Sequence, residues 1–318
     1  MTTAHDIVFL DRDSLIANVR RPAFAHSWTE YAATAAPEAV TRLRGATIAI
    51  TNKVPLDAAA LAQLPQLQMI AVAATGTDII DLAAARAHGI VVANIRDYAL
   101  AALPEHVFTL MLALRRNLLA YHADVAAGRW QQSTRFCLFD HPVSDLAGSR
   151  LGLLGYGALG KGVATIARAF GMDVCVHTRT PIDDATVRHV SWDELLETSD
   201  VLSLHAPLTA QTRNLIGAPE LARMKRSALL INTARGGIVD EAALAAALRD
   251  GVIAGAGFDV LSKEPPTAGN PLLALQQPNF ILTPHMAWAS TQAMQLLADQ
   301  LIGNIEAFAA RQPTNVVA

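Results

Sequence analysis

Hydrophobic positions along the chain follow two alternating patterns. Unbroken apolar runs at residues 7–10, 46–50, 67–73 and 90–93 read as short buried strands, and between the later ones apolar residues recur at helical spacing over 56–64 and 78–88. Buried strands alternating with helices imply a parallel sheet, so residues 1–98 are expected to form a first α/β domain. Residues 100–128 then read as one long helix with Pro104 in its first turns. Phe108, Leu112 and Leu119 make that helix apolar on more than one face, which predicts burial between domains or subunits. The stretch 129–146, with Trp130, Phe136 and Phe139, fits neither period and is expected to be an irregular arm.

The alternation resumes at RLGLLGYGALGKGVATIARAFGMDVCVHTRT, residues 150–180. An apolar strand over 151–154 runs through Gly155, Tyr156, Gly157, Ala158, Leu159 and Gly160 into a helix carrying Val163, Ile166, Ala167 and Phe170, which Gly171 ends. Another strand begins at Val174. In such a unit one glycine permits the tight turn, one lets the backbone approach a pyrophosphate, and one allows helix and strand to pack closely. A lone GxGxxG often marks only a tight turn, but a complete strand–turn–helix–strand unit points to a bound dinucleotide. Further strands are expected at 201–205, 228–232, 255–260 and 280–283. A capping box spans Ser191 to Glu194, helices are expected at 240–249 and 290–310, and the last should return the chain to the first domain. The expected division is therefore 1–98 with 289–318, and 99–288.

Composition narrows the function classes. The chain has 318 residues, 52% of them hydrophobic and 17% charged, which suits two compact domains and argues against disorder. Net charge is −3 with no basic run, so neither nucleic acid nor an anionic membrane is an expected partner. The opening MTTAHDIVFLD lacks the regions of a signal peptide, and residues 99–114 are interrupted by Pro104, Glu105 and His106. Cys137 and Cys175 form no spaced cluster, so a cytoplasmic protein without a metal site is expected.

The end of the second strand of the glycine unit bears on the cofactor. An NAD binder carries an acidic residue about 20 positions beyond the glycines to hold the ribose hydroxyls. Here that place holds Thr178, Arg179 and Thr180. A neutral hydroxyl does not repel a 2′-phosphate, and a guanidinium can grip one, so NADP(H) is favoured. The alternative is NAD(H), with Arg179 covering the adenine or pointing to solvent. Three polar residues, Arg235, Glu264 and His285, follow strand ends in this half, where the crevice of a doubly wound sheet lies. Reducing a 2-oxo acid requires a carboxylate anchor, a polarised carbonyl and a proton donor. Arg235 can meet the first two needs and His285 the third, with Glu264 orienting the ring and stabilising its charged form. Each also has a plainer reading as a loop charge or a helix-capping side chain. In the first domain, Ala74, Thr75, Gly76, Thr77 and Asp78 form a turn at a strand's carboxyl end, which either caps a helix or offers N–H groups to a carboxylate.

These residues, together with Pro104-Glu105-His106, His205-Ala206-Pro207-Leu208-Thr209, Asn232-Thr233-Ala234-Arg235-Gly236-Gly237, Gly257-Phe258-Asp259-Val260 with Glu264-Pro265, and Thr283-Pro284-His285, resemble the D-isomer-specific 2-hydroxyacid dehydrogenases over nearly the full length. The resemblance implies an α/β protein of two doubly wound parallel-sheet domains, a Rossmann dinucleotide-binding domain inserted into a flavodoxin-like substrate domain. It also implies a site in the cleft, usually in a homodimer. By the same resemblance Arg235, Glu264 and His285 are the catalytic trio. Thr75 and Gly76, with Ala74, should hold the substrate carboxylate, and Asp259 should lie near the nicotinamide amide. His205, Ala206, Pro207, Thr212, Thr233, Ala234, Arg235, His285 and Ala287 are implied around the cofactor.

The stretches IVFLDRDSL, AATGTDIIDL and HMAWAS are most similar to glycerate dehydrogenases, also called hydroxypyruvate reductases, and Arg179 between threonines is similar to NADP-using glyoxylate/hydroxypyruvate reductases. Pro104 departs from the usual Ala, and Ala287-Trp288 from the usual Gly-Ser; Trp288 either shapes the substrate pocket or packs at the helix start. Alternatives are the same chemistry on phenylpyruvate or a branched 2-oxo acid, and a non-catalytic dinucleotide sensor. Formate dehydrogenases carry Gln where this chain has Glu264. His106 and His205 are expected to be structural.

Overall fold

The computed structural model describes residues 5–179 and 181–318. The chain divides into two compact units, Met1–Tyr98 with Ala289–Ala318, and Ala99–Trp288. The first holds five parallel strands, β1 (His5–Phe9), β2 (His26–Glu30), β3 (Ile48–Thr51), β4 (Met69–Val72) and β5 (Val91–Ala93), in the order β2-β1-β3-β4-β5. Each residue of β3 and β4 is buried, as strands covered on both faces require. Asp57 and Asp81 cap the helices Ala58–Leu61 and Leu82–Ala87 by accepting from the N–H of Ala60 and Ala84. The edge strand β2 lies outside the apolar runs. Its sequence HSWTE has no hydrophobic stretch, because it pairs with β1 alone and buries none of its residues fully. The helix Thr291–Ala309 belongs to this unit, with Leu297, Leu301, Ile302 and Ile305 buried.

The second unit holds seven parallel strands: β6 (Arg150–Leu154), β7 (Asp173–His177), β8 (Arg188–His189), β9 (Val201–Leu204), β10 (Leu229–Asn232), β11 (Gly255–Phe258) and β12 (Phe280–Leu282). Their order is β12-β11-β10-β9-β6-β7-β8, so strand order reverses between β6 and β9. Ligands of such sheets bind outside the carboxyl ends at this reversal. Both units are thus doubly wound α/β layers, as expected.

The single helix expected over 100–128 is instead two, Ala102–Arg115 and Leu118–Ala126. Asn117 separates them with φ +48°, a left-handed conformation that Asn tolerates better than most side chains and that no helix can continue through. The first of the two lies on the sheet of its own unit. A Cβ on Gly257 of β11 would stand 3.0 Å from Leu110 Cβ, and one on Gly162 would stand 2.9 Å from Pro104 Cγ. Phe108 stacks on Phe170 with ring centroids 5.2 Å apart. Residues 129–146 form neither helix nor strand.

Candidate active site

At the strand-order reversal, β6 delivers the chain into Gly155 with φ +96°, a conformation glycine adopts without steric cost. A Cβ there would stand 2.6 Å from the His205 carbonyl oxygen, so the turn after β6 and the turn after β9 touch backbone to backbone. Gly160 is enclosed in the same way, 2.7 Å from the Gly155 carbonyl, which brings the helix Ala158–Ala169 tightly onto β6. Gly157 differs. A Cβ there would meet nothing within 4 Å, and as the N-cap it offers no side-chain acceptor to the helix's first N–H groups. Those groups, on Ala158, Leu159 and Gly160, have no intrahelical acceptor. The result is a bare helix N-terminus facing open space, suited to a pyrophosphate. After β10, Thr233 is 5% exposed and its hydroxyl is buried without a partner among the described residues. A bound ligand is the usual remedy for such a group. These features fit a dinucleotide.

Other residues expected around the cofactor fall on the same sheet edge. His205 Nε2 lies 2.9 Å from Ser203 Oγ, and burial lowers its imidazole to about 4, so the ring is neutral near pH 7. Ala206 and Pro207 follow it in a turn that Thr212 closes, its hydroxyl donating to the Pro207 carbonyl at 2.7 Å and accepting from Thr209 N–H at 2.7 Å. Thr178 and the exposed Arg179 follow β7, and the Thr178 carbonyl lies 3.1 Å from His189 Nε2. Thr180 lies outside the described residues.

Arg235, Glu264 and His285 stand in the turns after β10, β11 and β12. Parallel strands put all carboxyl ends on one edge, and glycine again lets two of these turns meet. A Cβ on Gly236 would stand 1.9 Å from the Leu261 carbonyl oxygen. Leu261 N–H donates to Glu264 Oε1 at 2.7 Å, and Glu264 Oε2 lies 2.5 Å from His285 Nδ1. The His285 and Glu264 side chains are 28% and 32% exposed, so the pair is supported on one side and accessible on the other. Arg235 donates from Nη1 to the Ala234 carbonyl at 2.8 Å. Asn232, fully buried, braces that turn by donating to the Arg235 carbonyl at 3.0 Å and accepting from Ala234 N–H at 3.1 Å.

His285 itself has φ +55°, a strained conformation that costs about 1–3 kcal/mol and must be held by its surroundings. Asp259 does the holding. Its carboxylate is 1% exposed; Oδ1 accepts from Thr283 Oγ1 at 2.5 Å and Met286 N–H at 2.9 Å, and Oδ2 accepts from Ala287 N–H at 2.8 Å. Trp288 donates from Nε1 to the His285 carbonyl at 3.1 Å.

Ala74, Thr75 and Gly76 belong to the other unit, in the turn after β4. Thr75 Oγ1 donates to the Ile95 carbonyl at 2.7 Å, and Asn94 Nδ2 donates to the Thr75 carbonyl at 2.8 Å, so the turn is braced from the segment after β5.

Asn232 and His106 lie in stretches that carry the family resemblance, but the sequence assigns neither a site role, and His106 is expected to be structural. Asp184 carries no signal: it lies in a segment without glycine or apolar pattern, yet it accepts from the Tyr156 hydroxyl at 2.6 Å. Hydrogen bonds from Thr186 and then Tyr156 hold its carboxyl at about 2. Among the described residues no helix is long and apolar enough to cross a membrane, and no cluster of His, Cys, Asp and Glu could hold a metal ion.

Comparison with known proteins agrees with this geometry. Residues 108–287 match the family described as D-isomer specific 2-hydroxyacid dehydrogenase, NAD binding domain. The glycerate dehydrogenase of Methylorubrum extorquens is 56% identical over 312 residues, 98% of each chain. The hydroxypyruvate reductase of Blautia hydrogenotrophica is 35% identical, over 88% of this chain and 87% of its own. Among solved structures, an acyclic imino acid reductase in complex with NADPH and D-Arg is 30% identical, with a TM-score of 0.86 over 98% of this chain and 100% of that one. With its glycine turn and its strand-end polar residues all inside the matched region or at its edge, this chain belongs to the D-isomer-specific 2-hydroxyacid dehydrogenase family.

Proposed function

We propose that this enzyme reduces a small 2-oxo acid, hydroxypyruvate or glyoxylate, to the D-2-hydroxy acid with NADPH, NADH being the second-choice cofactor. The observation that carries the proposal is the 2.5 Å contact between His285 Nδ1 and Glu264 Oε2 on the sheet edge that bears the glycine turn. With the carboxylate at Nδ1, the transferable proton of the imidazolium sits on Nε2 at the other side of the ring. The nicotinamide dinucleotide, when bound, supplies the hydride. Arg235 pairs with the substrate carboxylate and polarises the carbonyl, and His285 gives its Nε2 proton to the developing alkoxide. Glu264 keeps the ring oriented and stabilises its charged form. Backbone N–H groups of the Ala74–Gly76 turn assist with the carboxylate, and Trp288 shapes the pocket. Thr233, Asp259 and Ala287, with the residues of the turn after β9, line the cofactor. Glycerate and hydroxypyruvate, named in two relatives, are the hydroxy and oxo forms of one acid, which supports that substrate first.

The test is loss of reduced-nicotinamide absorbance with NADPH and NADH, each against hydroxypyruvate and glyoxylate. Turnover with NADPH well above NADH is expected. Arg179→Ala should then raise KM for NADPH about tenfold or more while NADH changes little, because a charged hydrogen bond is worth ~1.5–3 kcal/mol. Equal effects on the two cofactors would remove the phosphate assignment, and silence in all four assays would remove the substrate.

The proposal extends to a cytoplasmic homodimer. Leu118 is 58%, Phe136 88% and Phe139 70% exposed, apolar side chains that a second copy would cover, and both cysteines are unpaired. Light scattering on the purified protein should give twice the chain mass; the single mass at assay concentration would sink the dimer.

A further inference from the structure

His106 lies in the helix Ala102–Arg115, with Leu103, Val107, Leu110 and Met111 buried around it. Its side chain is 15% exposed and faces the carboxyl ends of β11 and β12: Nε2 is 3.0 Å from Thr283 Oγ1 and 3.7 Å from Asp259 Oδ1. We infer that His106 is a positioning residue for His285, acting through Thr283 and Asp259. The inference rests on the reading of His285 as the proton donor.

The donor directions follow from counting hydrogens. The Thr283 hydroxyl has one hydrogen, and its other neighbours are acceptors only, Asp259 Oδ1 at 2.5 Å and the Phe258 carbonyl at 3.3 Å. The contact at 3.0 Å must therefore be donated by His106, so its proton resides on Nε2. That donation commits the Thr283 hydrogen to Asp259 and keeps the Thr283 hydroxyl from turning toward the imidazole. The buried Asp259 carboxylate then has three donors: the Thr283 hydroxyl and the N–H groups of Met286 and Ala287. Those last two residues directly follow His285, whose left-handed backbone is held from the other side by the bond from its own N–H to the Thr283 carbonyl, at 3.0 Å. Residue 283 thus grips His285 by its carbonyl and supplies Asp259 by its hydroxyl. Without the Nε2 donor, the hydroxyl has two ways to point and the carboxylate loses a fixed partner. Buried polar networks lose most when only partly satisfied.

The experiment uses the full-length enzyme with hydroxypyruvate and the better reduced cofactor. His106→Leu keeps the volume and removes the donor, whereas His106→Gln places an amide nitrogen where Nε2 stands. His106→Leu should lower kcat about tenfold or more, the equivalent of ~1.4 kcal/mol, with Kd for the reduced cofactor and Tm close to wild type, and His106→Gln should restore most of the loss. Thr283→Val removes the intermediate hydroxyl at constant shape. It should lose kcat to a similar extent, and combining it with His106→Leu should add little further, since both changes break one chain of bonds. Wild-type kcat in His106→Leu, equal loss in the Leu and Gln variants, a loss that tracks Tm, or fully additive losses in the double variant would each overturn the inference. If His106→Leu does not fold, the comparison of His106→Gln with Thr283→Val decides: near-wild-type turnover in the first and loss in the second supports it, and the reverse overturns it. His285→Ala is assayed in parallel. Retained turnover there would sink the proton-donor reading and this inference with it, whereas loss there alongside wild-type kcat in His106→Leu would sink only this one.

Discussion

Replacing His285 with alanine is expected to lower kcat for 2-oxo acid reduction about 10²- to 10⁴-fold, the range that a positioned acid contributes. Among the described residues neither neighbouring carboxylate is free to replace it. Glu264 is committed through Oε1 to Leu261 N–H and through Oε2 to the imidazole, and the Asp259 carboxylate is buried with its oxygens occupied. Affinity for the reduced cofactor should change little, because the glycine turn and the open helix N-terminus are built by other strands. Alanine also releases the left-handed strain only partly, since a Cβ remains at φ +55°, so the fold should be neither gained nor lost. Titration of the dinucleotide by its fluorescence, beside steady-state kinetics, separates the two quantities. Turnover within a few-fold of wild type would remove His285 from the chemistry; a parallel collapse of cofactor affinity would assign it to binding instead.

The second large effect is expected at Gly236. A methyl group there would stand 1.9 Å from the Leu261 carbonyl oxygen, 2.0 Å from its carbon and 2.4 Å from Ser262 N. All three are backbone atoms, so no side-chain rotation can make room, and the turn carrying Arg235 must part from the turn carrying Glu264. Overpacking of this kind costs about 1–3 kcal/mol where neighbours can move and more where they cannot. Gly236→Ala should therefore lower Tm and abolish most turnover together. Gly157→Ala is the steric control: its Cβ would meet nothing within 4 Å, so Tm should stay at the wild-type value. Equal Tm for both variants and the parent protein would show that the turns after β10 and β11 can separate without cost.

Much of this architecture was legible because its signals are local. The buried strands β3, β4, β6, β9 and β10 are dominated by apolar residues, the pattern that a parallel sheet covered on both faces demands. The glycine unit declared its turn by spacing, and Ser191 declared its cap, accepting from Glu194 N–H at 3.1 Å. Elements without a local signature escaped. β2 and β8 bury no residue fully, so nothing in HSWTE or in Arg188-His189 marks a strand until a neighbour pairs with it. The helix break at Asn117 hides in a stretch whose apolar spacing continues on both sides, and only the residue type, an asparagine able to adopt φ +48°, hints at it.

By itself the amino-acid sequence determined the two α/β layers, the glycine turn and the identity of the residues at the strand ends, because periodicity, turn chemistry and strand burial are properties of contiguous residues. Only the tertiary structure decided what those residues do for one another. The oxygens of Asp259, which the resemblance places beside the nicotinamide, also hold the turn of His285; the Thr75 hydroxyl donates to the Ile95 carbonyl, leaving any part in carboxylate binding to backbone N–H groups; and His106, expected to be structural, touches a threonine 177 positions away. Hydrogen bonds are directional over a few tenths of an ångström, and the partners here arrive on different strands and helices. No spacing along the chain encodes which of them will meet; the strand order and the glycines that let the turns touch settle it.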